Sequence, residues 1–365
     1  MDEMYMKKAL DLAKAYEGFV EPNPMVGAII VKDEKVIGTG AHQSFGDAHA
    51  EVNAFNDAKE SVEGATMYVT LEPCSHYGKT PPCADLIIKK NIKRVVIASL
   101  DPNPLVAGNG IKKLKDARID VDVGVLDKEN KALNKVFFKF IQTKLPYVVL
   151  KTAMTADGKI ASYTHDSKWI TNHLSRQWVH ELRAKLQGIM VGVNTVIYDD
   201  PKLNVRLDKD LRQPLRIILD TRLEIPLKSY VVKTAAQQET IIITTSKANQ
   251  AKYNALLDLG VTLLKADIKE GEVDIHHALI MLGKRNISSL LLEGGSAVNF
   301  SALKANVVDE MHCFIAPKII GGMHALSPVG GLGIANLSDA FHLKLNDILR
   351  FDDDVCLSYT LLKEK

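Results

Sequence analysis

Apolar positions change their period repeatedly along the chain, and the changes predict an α/β protein. Apolar residues at helical spacing in MDEMYMKKALDLAKAYEG predict a helix over about Met4 to Tyr16. Short apolar runs near Val26 to Val31, Lys35 to Gly38, Met67 to Leu71 and Arg94 to Leu100 read as strands. Helical patterns open near His49, over Cys83 to Lys90 and over Asn109 to Ala117. The strand-like IDVDVGVL and the basic, aromatic segment NKVFFKFIQTKLP close this half.

Lys144-Leu145-Pro146 is the best boundary. Pro146 biases Leu145 away from helix, and a β-rich run, YVVLKTAM, follows at once. The reading is two domains, 1–145 and 146–365. The second half alternates strands (GIMVG, LRIILD, TIIITT, SSLLLEGG, DEMHCFIAP) with helical patterns, so a mixed or mainly parallel sheet covered by helices is expected. No internal repeat is visible.

The length of 365 residues agrees with two domains, since one hydrophobic core rarely grows that far. With 46% apolar and 25% charged residues, the chain reads as an ordinary globular protein. The 46 basic and 44 acidic residues are dispersed, and aromatics are 6%, which argues against a nucleic-acid partner. The N-terminus has neither the basic start nor the continuous apolar centre of a signal peptide, and no apolar run is long enough to cross a bilayer. No membrane partner and a cytoplasmic location are therefore expected. Four cysteines are too few for a disulfide framework. Cys313 and Cys356 sit in apolar strand-like runs and read as buried small hydrophobes.

The other two cysteines carry chemistry. GDAHAEVNAF places His49 and Glu51 two residues apart at the opening of a helix, and LEPCSHYGKTPPCADL places Cys74 and Cys83 with eight residues between them. One imidazole and two thiolates suit Zn²⁺, and three protein ligands leave the fourth position of a catalytic site open. Each cysteine follows a proline and lies where a helix could begin, which favours the thiolate. Glu51 then passes protons between a zinc-activated water and the leaving amine of a nucleobase-like ring. A closed structural knot would need a fourth ligand, for which His76 is the candidate, and would leave Glu51 without a task. The generic deaminase motif spaces its cysteines by two residues, so the match to it is partial.

Taken together, PNPMVGAIIV, GTGAHQSFGDAHAEVNA, TLEPCSHYGKTPPC, DPNPLVAGNG, KTAMTADGKIA, SKWITN, HELRAKLQGIMVGVNTVIYDDPKLNVR, LLLEGGSAVNF and DEMHCFIAPKIIGG resemble the bifunctional deaminase–reductase family of riboflavin biosynthesis over nearly the whole chain. The eight-residue cysteine spacing is the one this family shows. The resemblance implies a cytidine-deaminase-like α/β/α sandwich followed by an α/β domain similar to dihydrofolate reductase. It implies zinc-dependent deamination of a diaminopyrimidinone ribosylamine 5′-phosphate, then reduction of its ribose by NADPH. An active deaminase joined to a decayed reductase is the alternative; the retained LRA, DDP-x-L and EGG segments argue against it. Against the family's pattern, Asp47 stands where small residues or proline are commoner, and Arg118 where glycine is expected.

Asn23, His42, His76, Lys79 and Asn103 lie in the matched loops and are candidates for holding the pyrimidine edge or the phosphate, Lys79 being the natural phosphate partner. For each one singly, an ordinary loop role is as good a reading. The second half has no G-x-G-x-x-G; its informative features are the glycine turns VGVNT and EGGS, which a dinucleotide phosphate can approach. The resemblance implies cofactor contacts at Ala153, Trp169, Thr195, Asp199, Thr221, Gly295, Ser296 and Ala297, and substrate contacts at Ser167, Arg183, Leu203, Arg206 and Glu293. Arg183 and Arg206 make chemical sense as a phosphate clamp, although Arg183 also fits a solvated helix face. Lys151 and Asp199 stand near the expected hydride path. Two domains on one short linker invite self-association, so a homo-oligomer is expected.

Overall fold

The computed structural model of the chain describes residues 1–75, 81–103, 107–208 and 211–363. It divides into two compact units, Met1–Lys144 and Leu145–Lys365. His76 and Lys79 lie outside the described residues.

The first unit runs α1 (Asp2–Lys14), β1 (Gly27–Lys32), β2 (Lys35–Ala41), α2 (Ala50–Asp57), β3 (Thr66–Leu71), α3 (Cys83–Lys89), β4 (Arg94–Ser99), α4 (Asn109–Asp116), β5 (Asp120–Val123), α5 (Asp127–Leu133) and α6 (Lys135–Thr143). Its sheet has the order β2-β1-β3-β4-β5. β1 is antiparallel to β2 and β3, and β3, β4 and β5 are parallel. Asp33 and Glu34 turn the β1–β2 hairpin with φ of 48° and 62°, the backbone that matches strand twist in a two-residue turn. Alternate residues of the strands feed two cores. Ile29, Val31, Tyr68 and Val96 meet Tyr5, Met6 and Ala9 of α1. Ile30, Met67, Val95 and Ile97 meet Ala54 and Phe55 of α2, Ile87 of α3 and Leu114 of α4. The result is a helix-sheet-helix sandwich. The basic, aromatic segment that pattern left unassigned is α6, which buries Phe140 and ends at Lys144 in a left-handed conformation.

The helix that matters for function, α2, lies directly on β2. A Cβ at Gly40 would stand 2.3 Å from the Ala50 carbonyl oxygen, so only glycine lets helix and strand approach this closely. Asn53 pins the same junction, its amide donating to the Ala41 carbonyl at 2.8 Å.

The second unit runs β6 (Tyr147–Thr155), α7 (His173–Lys185), β7 (Gly188–Gly192), α8 (Val193–Asp199), β8 (Leu215–Leu219), α9 (Tyr230–Lys233), β9 (Thr240–Thr244), α10 (Gln250–Asp258), β10 (Thr262–Lys265), β11 (Ile268–Lys269), β12 (Glu272–Val273), α11 (Ile275–Lys284), β13 (Ser289–Leu292), α12 (Ser296–Lys304), β14 (Glu310–Ala316), β15 (Leu343–Phe351) and β16 (Asp354–Leu361). The main sheet has the order β10-β9-β8-β7-β13-β6-β14-β16-β15. It is parallel from β10 to β14, and β16 and β15 add an antiparallel hairpin at one edge. Central strands such as TIIIT are buried along their whole length, as expected of strands covered on both faces. One face packs on α11 and α12; the other packs on α8, α9, α10 and α7. Cys313 and Cys356 are buried in β14 and β16, as expected.

Candidate active sites

In the first unit, His49 caps α2 with an extended backbone, and Cys83 opens α3. Cys74 follows β3 in a stretch assigned to neither helix nor strand, and the five residues after Ser75, where the expected helix would run, lie outside the described residues. The three side chains converge, their ligand atoms all lying within 4.8 Å of one another. The Nδ1 of His49 is 3.2 Å from the Cys83 sulfur and 3.6 Å from the Cys74 sulfur. Tetrahedral Zn²⁺ with its usual bond lengths separates a nitrogen and a sulfur ligand by about 3.5 Å, so the donor set fits that ion. The backbone N–H of Cys83 donates to the Cys74 sulfur at 3.2 Å. That sulfur is pushed down towards the thiolate, chiefly by the Cys83 thiol, against burial and with help from His49.

Glu51 sits in the first turn of α2, two residues beyond His49, and is 4% exposed. Burial, followed by the nearby Cys74, pushes its carboxyl up to about 7. A carboxyl poised there can take and return a proton near neutral pH. His42 is 3% exposed and is fixed through both ring nitrogens. Nδ1 meets the Ala48 carbonyl at 3.1 Å and Nε2 meets the Asn23 amide at 3.0 Å, which assigns the proton to Nδ1. Its ring stands edge-on to His49, 6.0 Å between centroids. Asn23 and His42 are thus joined beside the metal ligands. Asn103 receives the turn that Asp101 makes, its N–H donating to the Asp101 carboxylate at 2.8 Å.

The second unit holds a cavity of about 1080 Å³ at the carboxyl ends of its parallel strands, the usual place for a ligand in such sheets. Both glycine turns reach it, and they touch each other, Gly192 N–H donating to the Gly294 carbonyl at 3.3 Å. Gly294 and Gly295 have φ of 139° and 90°, which a side chain would strain. Ala153 of β6, Thr195 and Asp199 of α8, and Thr221 after β8 line the cavity. Gly295, Ser296 and Ala297 at the start of α12 do so too, with Trp169 at the edge under the Arg176 guanidinium, 4.7 Å from its ring. Thr221 donates to Glu272, and Asp199 accepts from Ser167 at 3.1 Å. Two glycine turns at the cavity, one of them opening α12, give backbone that a phosphate can approach, which fits a dinucleotide.

The expected substrate residues of the reductase do not share one environment. Arg183 is no solvated face: its fork grips the Glu293 carboxylate at 2.5 and 2.7 Å, and its remaining Nη1 donates to the Asn204 carbonyl at 3.0 Å. With that much of its donor set engaged, it serves poorly as a phosphate clamp. Arg206 is the freer cation, exposed at the cavity with one bond to the Asn204 side chain at 2.7 Å. The Leu203 side chain is 3% exposed and packs in the core with Ile189 and Ile218, so only its backbone is left to meet a substrate. Lys151 and Ser167 both face the cavity. The Lys151 ammonium lies 4.0 Å from Glu293. Burial lowers its pKa while Glu293 opposes that shift.

Sequence reading missed His180. It sits one helical turn before Arg183 on the cavity wall, and its Nδ1 accepts the Arg206 N–H at 3.3 Å. Burial, then Arg183 and Arg206, push it down to about 4, so it is neutral at pH 7. A histidine three residues before a cavity-facing arginine was the available signal.

A family model of the cytidine and deoxycytidylate deaminase zinc-binding region matches residues 1–99, and one of the RibD C-terminal domain matches residues 146–357. The riboflavin biosynthesis protein RibD of Actinobacillus pleuropneumoniae is 47% identical, over 98% of this chain and 95% of its own length. That of Aquifex aeolicus is 45% identical, over 98% of both chains. The chain belongs to the RibD family. The RibD of Acinetobacter baumannii superposes with a TM-score of 0.88 at 36% identity, covering 99% of both chains. The Thermotoga maritima diaminohydroxyphosphoribosylaminopyrimidine deaminase / 5-amino-6-(5-phosphoribosylamino)uracil reductase does so with a TM-score of 0.85 at 38% identity, again over 99% of both. As a RibD, the chain is a zinc-dependent deaminase joined to an NADPH-dependent reductase of riboflavin biosynthesis. Because the match runs through both halves, the alternative of a decayed reductase has no support.

Proposed function

We propose that this chain hydrolyses the 2-amino group of 2,5-diamino-6-ribosylamino-4(3H)-pyrimidinone 5′-phosphate and then reduces the ribosyl group with NADPH, giving 5-amino-6-ribitylamino-uracil 5′-phosphate. The observation that carries this reading is the pairing, in one chain, of the His49–Cys74–Cys83 donor set beside buried Glu51 with a dinucleotide-sized cavity walled by Lys151, Arg183 and Glu293. The reading assigns the deaminase to residues 1–145 and the reductase to residues 146–365, a division supported by the two compact units.

In the first unit His49, Cys74 and Cys83 hold zinc, which supplies a water activated for attack. Glu51 carries the proton from that water to the departing amine. Asn23 and His42 present an amide and a fixed imidazole to the ring, and Asn103 borders it; His76 and Lys79 are assigned to the ring and phosphate from the resemblance. In the second unit the glycine turns seat the pyrophosphate of NADPH, which supplies hydride. Thr195, Asp199, Thr221 and Trp169 flank the cofactor, and Arg206 takes the substrate phosphate. Arg183 fixes Glu293, and Glu293 favours the charged form of Lys151, the group placed to protonate the opened sugar.

The reading keeps the partners to small phosphorylated pyrimidines in the cytoplasm. Self-association is supported by exposed Leu343, Leu345 and Ile348 on the sheet-edge strand β15, and sedimentation velocity tests it. For the reaction itself, zinc-loaded protein given the diaminopyrimidinone phosphate must release ammonia without NADPH and consume NADPH when it is added. Ammonia release with no NADPH consumption would contradict the second step.

A further inference from the structure

The carboxylate of Glu72 is buried, 4% exposed, at the end of β3, two residues before the metal ligand Cys74. It has no counterion among its described partners. Instead it accepts four backbone N–H groups from a segment far along the chain. One oxygen takes Gly110 at 2.9 Å and Ile111 at 3.4 Å; the other takes Gly108 at 3.0 Å and Asp101 at 3.3 Å. The Glu72 N–H donates to the Ser99 carbonyl at 3.0 Å, so its backbone holds the last residue of β4 while its side chain holds residues that follow the strand. A second observation points the same way. A Cβ at Gly110 would stand 2.1 Å from the Pro73 carbonyl oxygen, so the start of α4 is packed against the chain between Glu72 and Cys74 with no room for a side chain.

These bonds have a direction. Gly110 and Ile111 belong to the first turn of α4, whose cap residue Gly108 has no side chain to satisfy the free N–H groups, and an anion is favoured there. Asp101 leads into Asn103 through the turn already described. One buried acid therefore ties the strand end that delivers a zinc ligand to the segment that carries Asn103. We infer that Glu72 is a positioning residue for the deaminase reaction: it sets where the segment around Asn103 stands relative to the metal ligands, and so governs substrate affinity more than metal binding or proton transfer. This rests on the reading that the segment around Asn103 borders the deaminase substrate.

The test is a set of full-length, zinc-loaded chains: wild type, Glu72→Gln, Glu72→Asp and Asn103→Ala. A glutamine keeps one acceptor oxygen and turns an N–H₂ towards the other pair of donors, so one pair is released. Glu72→Gln is expected to raise KM for the diaminopyrimidinone phosphate about tenfold, with kcat within about threefold of wild type. Zinc content per chain and NADPH oxidation from the deaminated product are expected to be unchanged. Glu72→Asp is the milder variant should Gln prevent folding, with the same signature at smaller size. A role confined to capping α4 predicts a lower melting temperature with KM unmoved, and that result overturns the inference. So does activity that falls only in step with lost zinc. An Asn103→Ala chain with wild-type KM removes the reading on which the inference rests, and the inference with it; raised KM in Asn103→Ala beside wild-type KM in Glu72→Gln and Glu72→Asp sinks the inference alone.

Discussion

At the scale of single residues, the zinc triad was legible in the sequence because ligand chemistry restricts it to His and Cys at a helix start and around a Pro-rich loop. Glu51 was legible because it follows His49 by two positions. Glu51→Gln should keep zinc and lower the rate of ammonia release by about 10²-fold or more, the usual worth of a placed proton carrier; full activity with zinc bound would remove that role. Arg183 was read from the sequence as half of a phosphate clamp, and the structure pairs its fork with Glu293. Its ion pair with Glu293 spans 110 positions, and no local pattern announces such a pair. Because Glu293 raises the pKa of buried Lys151, Glu293→Gln lets that pKa fall further. If Lys151 donates its proton in the reduction, the alkaline limb of the kcat profile for NADPH oxidation then moves to lower pH. A profile with an unmoved alkaline limb would separate Lys151 from the proton step.

At the scale of elements, strands and helices with strong periodicity were legible, and their ends differ by a few residues where capping decides. α1 starts at Asp2, earlier than its apolar pattern indicates. The Arg94 fork grips Asp2 at 3.0 and 2.8 Å and Tyr68 donates to it at 2.7 Å. The Arg94 bond is the main cause that holds Asp2 at about 2, against about 3.9 for a free side chain. A depressed carboxyl contributes stability above about pH 4 and loses it as pH falls towards about 2. With side chains 31% and 36% exposed, the pair contributes about 1 kcal/mol or less. Asp2→Asn should therefore lower urea stability by that amount at pH 7 and by progressively less as pH falls from about 4 through about 2. Arg118, where the family comparison expected glycine, has a φ of 63° just past α4. Arg118→Gly should stabilise the first unit by about 0.5–1 kcal/mol, since glycine adopts that backbone without strain; a lower midpoint would show that the arginine side chain contributes more than the strain costs. The edge strands β10 and β15 were not read from the sequence. The first is a four-residue run at the sheet's end, and the second is exposed over most of its length, so neither shows the apolar run or alternation of a covered strand.

At the scale of the whole molecule, the division into two units was legible from one proline and a change of pattern, because a linker needs little more. The cavity of the second unit was not, since its walls come from β6, α7, α8, the turn after β8 and the start of α12, brought together by strand order and not by sequence spacing. Two separate sites predict separable losses. A chelator that strips zinc should abolish ammonia release while leaving NADPH oxidation from the deaminated product within about twofold; equal loss of both would mean that the metal supports the whole chain. The central claim, deamination first and reduction second in one chain, is tested most directly by following NADPH oxidation in zinc-loaded Glu51→Gln protein started from each of the two pyrimidine phosphates. The account predicts wild-type rates from the deaminated compound and almost none from the diamino compound; NADPH oxidation at wild-type rates from the diamino compound would contradict it.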